Sequence, residues 1–259
     1  MLVSFVRPGG GVACVGLLSP DGGRVADLTA IGMEDVYAAL PRVAQLEKLQ
    51  KHLTLTAGAV VYPVGNVRLL APVPYARLVR DQSSVPAGAP EEPELAFADP
   101  REIAGPGAHL TVGADELLVV GIAAAIGTGG RDLAAKTAAS HIAGVTLFAE
   151  WRGSGAPVDA AGDRLVVGPA LAPLAALDDE NAIVVTVPHE STRHVALTGV
   201  RSLLTAAVRA ASRRYTLRAG DLFLHDVGVV EAPLSAGEAA EIVIEGPSGA
   251  LSHVATRAI

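Results

Sequence analysis

The chain has 259 residues, of which half are hydrophobic and 18% are charged, and so apolar a composition excludes a mainly disordered protein. Its net charge of -7 argues against a nucleic-acid partner, because binding to phosphates needs clustered Lys and Arg side chains. The longest apolar run, residues 117–126, is far shorter than the roughly 20 residues of a membrane-spanning helix, so no membrane partner is expected. The first residues lack the pattern of a secretory signal peptide, which predicts a cytoplasmic protein.

The N-terminal part predicts a small α+β domain over residues 1–73. Residues 2–27 alternate apolar and polar side chains between clusters of Gly and Pro, a pattern typical of antiparallel strands joined by hairpin turns. Residues 33–52 place apolar side chains at helical spacing, and Pro41 divides them into two short helices. Two further short strands are predicted before residue 73.

Residues 74–259 predict a larger domain with more strand than helix. A segment rich in Pro and Glu, residues 80–96, cannot hold a core and is interpreted as a mobile lid or a linker. The apolar run at residues 116–127 suits a buried central strand, because both of its faces are apolar. The other predicted elements are a helix at 131–142, strands at 144–149 and 182–187, a helix at 199–211 and a strand at 221–224.

Three sequence features bear on cofactor or hydrolase chemistry. Gly127-Thr-Gly-Gly-Arg-Asp132 lies where a dinucleotide-binding fingerprint would sit, but the carboxylate of Asp132 would compete with a pyrophosphate for the same N–H groups. We therefore interpret it as a tight turn before a capped helix. His189 and His194 are five residues apart and would not share the helical face of a zinc protease. The chain also lacks the Gly-x-Ser-x-Gly spacing of a serine hydrolase.

Two histidines are candidates for acid–base chemistry. His225 stands beside Asp226 at the end of a predicted strand, and an imidazole with an orienting carboxylate is a common general base. Adjacent strand residues normally point to opposite faces, which is the structural alternative for this pair. His141 lies late on the predicted 131–142 helix, where an imidazole at the edge of the core is the structural alternative.

Taken together, these segments resemble the fumarylacetoacetate hydrolase family over nearly the whole chain. Residues 2–7 and 15–29 look like the small N-terminal domain of bacterial members. In the larger domain the resemblance is carried by Leu70-Ala-Pro-Val-Pro74, Phe97-Ala-Asp-Pro100, Ile103-Ala-Gly-Pro-Gly107, Ile122–Gly127, Ile142–Leu147, Gly168-Pro169, Leu217–Asp221 and Ile242–Gly246. The resemblance implies a β-rich α+β fold, in which a distorted β-sandwich or β-roll surrounds one long helix, usually in a homodimer.

The resemblance also implies a metal-assisted chemistry that this sequence does not fit. Members commonly hold Mg²⁺ or a similar cation with two glutamates and an aspartate, and use it to polarise an oxo-acid or diketone. The two glutamate positions fall on Val119 and Gly121, and the aspartate position falls on Glu150. A hard cation needs several oxygen ligands, so neither Mg²⁺ nor Mn²⁺ nor any other cofactor is expected here.

Other family positions also differ. The segment expected to carry a water-activating His and Glu runs through residues 78–82 without either. A lysine expected after Phe97 is replaced by Asp99, and a Gly-Thr pair of a later loop becomes Asp226-Val227. Ordinary hydrolysis by the family mechanism is therefore not expected.

Three functional hypotheses follow. The first is a metal-independent lyase, isomerase or cyclase acting on a carbonyl-rich, fairly apolar small molecule such as a biosynthetic intermediate. In it, Arg152 anchors a carboxylate or enolate oxygen while Glu150 or His225 exchanges a proton. The second is a binding or scaffold protein without chemistry, and the third is a metal-dependent hydrolase whose ligands come from Glu91, Glu92 or Glu94 in the lid. The candidate catalytic residues are Glu150, Arg152, His225, Asp226 and His141, with Val119, Gly121 and Asp99 lining the pocket.

Overall fold

The computed structural model of the chain describes residues 1–46, 48, 60–81, 93–111, 116–153, 164–230, 237–245 and 251–258. Within these residues, sixteen strands form two sheets. The larger sheet contains β1 (Leu2–Val6), β2 (Ala13–Leu18), β3 (Arg24–Asp27), β4 (Val61–Pro63), β5 (Arg68–Leu69), β6 (Tyr75–Asp81), β7 (Leu95–Glu102), β9 (Glu116–Ile126), β10 (Ile142–Gly153), β11 (Leu165–Ala172) and β14 (Leu222–Val230). The smaller sheet contains β8 (His109–Thr111), β12 (Ala182–Thr186), β13 (Arg193–Ala196), β15 (Ala239–Glu245) and β16 (Leu251–Ala258).

Helices are few in the described part of the chain. The α-helices are α1 (Val36–Ala39) and the long α2 (Val200–Arg214), and residues 43–46 are also helical. The 3-10 turns are Thr29–Ile31, Leu40–Arg42, Val64–Asn66, Ala138–His141 and Leu174–Ala176. None of the helices in this part of the chain has the length and apolar character needed to cross a bilayer.

The larger sheet runs in the order β4-β3-β2-β1-β11-β10-β9-β14-β6-β7, with β5 pairing off this path with β1. Strand β9 lies in the middle and pairs antiparallel with both β10 and β14. Nine of its eleven residues are buried, because side chains on both of its faces pack into apolar clusters. This explains why the predicted central strand is a continuous apolar run instead of an alternating one.

The two faces of the larger sheet are covered by different layers. One face packs against α2 and the smaller sheet, in a cluster that includes Ile122, Phe223 and Leu204. The other face packs under the N-terminal elements, in a cluster that includes Phe148 and Leu224. Strand-rich α+β architecture around one long helix was predicted from the resemblance and is confirmed.

The N-terminal strands are hairpins, as predicted. Strands β1, β2 and β3 pair antiparallel in sequence order. Strand β1 also pairs with β11 through Leu2 and Leu171, so the N-terminal strands extend the larger sheet. Pro41 lies in the 3-10 turn Leu40–Arg42 that separates α1 from the helical residues 43–46. The rest of the second predicted helix, except residue 48, lies outside the described residues.

The helix predicted at residues 131–142 is wrong, since only the 3-10 turn Ala138–His141 forms there. One reason is that the backbone of Asp132 is left-handed, with a φ of 52°, so no right-handed helix runs through it. The N–H of Asp132 donates to the carbonyl of Ser212 at 3.0 Å, and the N–H of Leu133 donates to Ser212 Oγ at 3.0 Å. Further along, the N–H groups of Thr137 and Ser140 donate to the carbonyls of Ala134 and Thr137, which closes short turns in place of a continuous helix.

Candidate functional site

Four charged side chains meet on one face of the larger sheet, and we call Arg80, Glu150, Arg152 and Asp226 the charged cluster. Arg80 Nη1 lies 2.6 Å from Glu150 Oε2 and 3.4 Å from Asp226 Oδ1. Arg152 Nη2 lies 2.6 Å from the same Glu150 oxygen and 3.2 Å from Asp226 Oδ2. Each carboxylate therefore contacts both guanidinium groups, and the four formal charges cancel.

Strand register explains why these residues converge. Arg80 on β6 pairs in parallel with Leu224 on β14, so it faces the same side as Asp226, two residues further along β14. Asp226 pairs with Gly121 of β9, which pairs in turn with Phe148 of β10. Because strand side chains repeat every second residue, Phe148, Glu150 and Arg152 all lie on this face of β10.

The cluster has a buried end and a partly exposed end. The side chain of Arg80 is fully buried and that of Glu150 is 5% exposed, whereas Arg152 is 16% and Asp226 is 25% exposed. Small molecules approaching from solvent would therefore meet Arg152 and Asp226 first. Burial raises the pKa of Asp226 above its usual value, and the attraction of Arg80 and His225 does not overcome this effect.

His225 does not join the charged cluster, although it is adjacent to Asp226 in sequence. It pairs with Ile122, whose side chain belongs to the cluster packed under α2, so it faces the opposite side of the sheet. There its Nδ1 lies 3.6 Å from Asp81 Oδ2, and both side chains are nearly buried. The alternation along β14 therefore gives His225 a different carboxylate from the one beside it in sequence.

Two other predicted residues also lie apart from the cluster. His141 ends a 3-10 turn and its Nδ1 donates to the carbonyl of Thr128 at 2.7 Å, which holds the turn before β10. Nine residues separate it from Glu150 along an extended strand, a distance of roughly 25–30 Å. Asp99 is exposed on β7, beside the register shift between β6 and β7.

The residues present do not fit the divalent cation that the resemblance implies. Val119 pairs with Glu150 across the strands, but the side chain of Val119 has no ligand atom. At Gly121 even a Cβ would lie 2.2 Å from the carbonyl oxygen of His225 and 2.6 Å from the Phe148 ring, so a larger side chain has no space. Glu150 already contacts two guanidinium groups. Among the described residues, no group of three or more His, Cys, Asp or Glu side chains is placed to hold a metal ion.

Sequence reasoning missed Arg80, the most buried member of the cluster. The sequence signal was present, because Arg80 follows Leu78 and Val79 within an apolar strand, where alternation directs every second side chain inward. The family resemblance gives no sign of it, because that resemblance implies only a His and a Glu in residues 78–82. Of the predicted lid at 80–96, residues 82–92 lie outside the described residues, and with them Glu91 and Glu92; Glu94 is described and exposed.

Comparisons with known proteins agree on the family and the fold. The family model described as fumarylacetoacetate (FAA) hydrolase C-terminal matches residues 69–253. No curated protein sequence matches the chain.

Several solved structures cover almost the whole chain. A maleylpyruvate hydrolase from Sphingobium sp. SYK-6 is 19% identical, covers 98% of this chain and 99% of its own, and has a TM-score of 0.73. A structure of maleylpyruvate hydrolase from the same organism with manganese(II) and pyruvate is 17% identical, covers 99% and 100%, and has a TM-score of 0.69. A 5-carboxymethyl-2-hydroxymuconate delta-isomerase from Mycobacterium smegmatis is 20% identical, covers 99% and 98%, and has a TM-score of 0.67. At these identities the structural likeness establishes a shared fold.

Proposed function

Because this chain belongs to the fumarylacetoacetate hydrolase family, we propose that it is an enzyme of that fold which moves a proton within a carbonyl-rich small molecule without a resident divalent cation. The observation that carries the proposal is the charged cluster, in which two guanidinium groups and two carboxylates stand where the family resemblance places a metal site. Isomerisation and decarboxylation both fit this chemistry, since each passes through an enolate.

Arg152 and Asp226 are the groups proposed to touch the substrate, because they form the exposed end of the cluster. Both contacts that Arg152 makes with the cluster carboxylates use Nη2, so neither uses its Nε–Nη1 edge. A guanidinium matches a carboxylate or an enolate oxygen in charge and in hydrogen-bonding geometry. We assign Arg152 the role of holding the carbonyl oxygen of the substrate.

Asp226 is proposed as the proton-transfer group. Its carboxylate removes a proton from the carbon beside the carbonyl, the C–H electrons form a C=C bond, and the carbonyl electrons move to oxygen. The resulting enolate oxygen pairs with Arg152, and the same proton is then delivered from Asp226 to another carbon in an isomerisation. The raised pKa of Asp226 suits this role, because a base with a higher pKa accepts a carbon-bound proton more readily.

Glu150 has a different role in this proposal from the proton exchange expected from sequence. Its carboxylate is 5% exposed and lies 2.6 Å from both Arg80 and Arg152, so its negative charge fixes the two guanidinium groups. The contacts of Asp226 with the same two groups are longer, at 3.4 and 3.2 Å, and its side chain is 25% exposed, so Asp226 and not Glu150 is accessible to a substrate. Glu150 is therefore proposed to position Arg152 and not to transfer protons.

Proton exchange from D₂O tests the proposal directly. Candidate 2-oxo acids and 1,3-diketones are incubated with the protein and EDTA in D₂O, and deuterium at the carbon beside the carbonyl is followed by NMR. We expect Asp226→Asn to slow exchange about 100- to 10,000-fold, the usual contribution of a general base. Arg152→Met should mainly raise KM. Asp99→Asn, which changes an exposed carboxylate outside the cluster, is the matched control and should leave exchange unchanged.

Two outcomes would contradict the proposal. Exchange that EDTA abolishes and Mg²⁺ or Mn²⁺ restores would favour a metal-dependent enzyme with relocated ligands. A compound that raises the melting temperature but shows neither exchange nor turnover would favour a binding protein on the same fold. Mutual neutralisation of the four cluster charges is the observation that favours this second candidate function.

A further inference from the structure

Arg80 is an unusual residue for the interior of a sheet. Its side chain is fully buried on β6, and arginine is almost never fully buried unless it is paired. Its Nη1 makes ionic contacts with Glu150 and Asp226, and the guanidinium carbon lies 5.7 Å from the centre of the Phe148 ring. Within the described part of the chain, its buried Nε and Nη2 atoms have no hydrogen-bond partner. An incompletely satisfied buried guanidinium calls for a reason beyond packing.

The position of Arg80 supplies that reason. Glu150 stands where the family resemblance places the third metal ligand, and Val119 and Gly121 stand where it places the other two. Asp226 pairs with Gly121, and Phe148 pairs with Gly121 from the other side. Arg80 therefore brings a positive charge to the same side of these paired positions, and the Phe148 ring occupies the space beside Gly121.

We infer that the guanidinium of Arg80 is a built-in cation, which takes the electrostatic place of the divalent ion and neutralises Glu150 and Asp226 within the sheet. The inference deepens the proposed function and rests on it in one respect, namely that the charged cluster is the site. Arg80 is a positioning residue, because it lies at the buried end and acts through the two carboxylates that also hold Arg152.

This exchange of a metal for a guanidinium limits the reactions available. Arginine stays protonated, so it supplies a fixed positive charge, but it does not bind water and make a hydroxide as a metal ion does. A site built on Arg80 therefore favours reactions that need only charge stabilisation of an enolate over reactions that need an activated water. The inferred substrate class is an enolisable carbonyl compound that reacts by isomerisation or decarboxylation instead of hydrolysis.

The first test measures binding of Mn²⁺ to the purified full chain by electron paramagnetic resonance, with no substrate present. If Arg80 takes the place of the ion, the wild-type protein should leave Mn²⁺ free up to millimolar concentration. Micromolar binding of Mn²⁺ that Glu150→Gln abolishes would overturn the inference.

The second test separates the charge of Arg80 from its bulk. Arg80→Lys keeps the charge and Arg80→Met keeps an unbranched chain of similar length without it. We expect the lysine variant to have the higher melting temperature, whereas a purely space-filling role predicts the reverse order because methionine is apolar. Millimolar guanidinium should raise the melting temperature of Arg80→Ala, while equal urea should not. Arg7→Ala, which removes a half-exposed partner of Asp27, is the control in which guanidinium should have no such effect.

The two tests measure Mn²⁺ binding and melting temperature, whereas the proposed function is tested by proton exchange. A negative result for Arg80 can therefore be distinguished from a negative result for the proposed function. Mn²⁺ binding by the wild-type chain together with exchange that persists in EDTA would overturn the role of Arg80 and leave proton transfer intact. Methionine and alanine variants that fail to fold while the lysine variant folds would support the need for a charge at position 80. A lysine variant less stable than the methionine variant, or no specific effect of guanidinium on a folded alanine variant, would overturn it.

Discussion

Replacing Gly121 with alanine is expected to destabilise the protein by about 3 kcal/mol or more, because overpacking typically costs about 1–3 kcal/mol when neighbours can move and here one neighbour is backbone. The added Cβ would lie 2.2 Å from the carbonyl oxygen of His225, more than an ångström inside the 3.4 Å at which ordinary contact begins. It would also lie 2.6 Å from two carbon atoms of the Phe148 ring.

The ring and the carbonyl differ in how far they can yield. Phe148 is fully buried, and the carbonyl belongs to β14 at the point where β14 pairs with β9. Moving that carbonyl by an ångström would disturb the ladder that holds Asp226 opposite Gly121. Alanine gains only about 0.5–1 kcal/mol over glycine inside a strand, which is too little to offset the clash.

Urea unfolding followed by tryptophan fluorescence measures this loss, and a constant m-value confirms that the same surface unfolds. Gly65→Ala is the matched control, because a Cβ there meets nothing within 4 Å, and its effect should stay within about 0.5 kcal/mol. Gly121→Glu, which restores the carboxylate implied by the family, should lose at least as much stability as Gly121→Ala. If either Gly121 variant were as stable as the wild type, the argument that this strand has no room for a metal ligand would be refuted.

Three further predictions use other parts of the structure. The rate of proton exchange should rise with pH through the raised pKa of Asp226, because the ionised carboxylate is the base, and Asp226→Asn should remove that limb of the profile. Burial raises the pKa of Asp27, but the hydrogen bonds that it accepts from Arg7 and Thr29 together lower this pKa by more than burial raises it. The pKa of Asp27 therefore lies below its usual value. The stabilisation from ionised Asp27 is therefore full above its ordinary pKa and lost as pH falls through the lowered one, so the melting temperatures of Asp27→Asn and wild type should converge in acid. Arg77→Met should lower the free energy of unfolding in urea by about 1.5–3 kcal/mol, because it removes two charged hydrogen bonds to buried Asp221. A loss below about 0.5 kcal/mol would contradict the prediction for Arg77. A melting-temperature difference between Asp27→Asn and wild type that stays constant with pH would contradict the prediction for Asp27.

Much of the fold follows from local sequence patterns. Alternating residues at the N-terminus form the predicted hairpins, and the apolar run at residues 116–127 forms the central strand β9. These predictions succeed because the pattern of apolar and polar residues along a strand indicates which of its faces are buried. The helix predicted at residues 131–142 fails because Asp132 has a left-handed backbone where its N–H bonds to Ser212, about eighty positions away on α2.

For the candidate site, too, the sequence and the tertiary structure supply different information. The sequence by itself determined that Val119 and Gly121 offer no metal ligand, since side-chain chemistry is read directly from the residue, and it identified Glu150, Arg152 and Asp226 as candidates. Only the tertiary structure decided which charges face each other. Parallel pairing of β6 with β14 brings Arg80 to carboxylates that lie 70 and 146 positions further along the chain. Because side chains alternate along β14, His225 lies on the other face, where it contacts Asp81. Contacts across a sheet depend on the register between distant strands and not on neighbours in sequence.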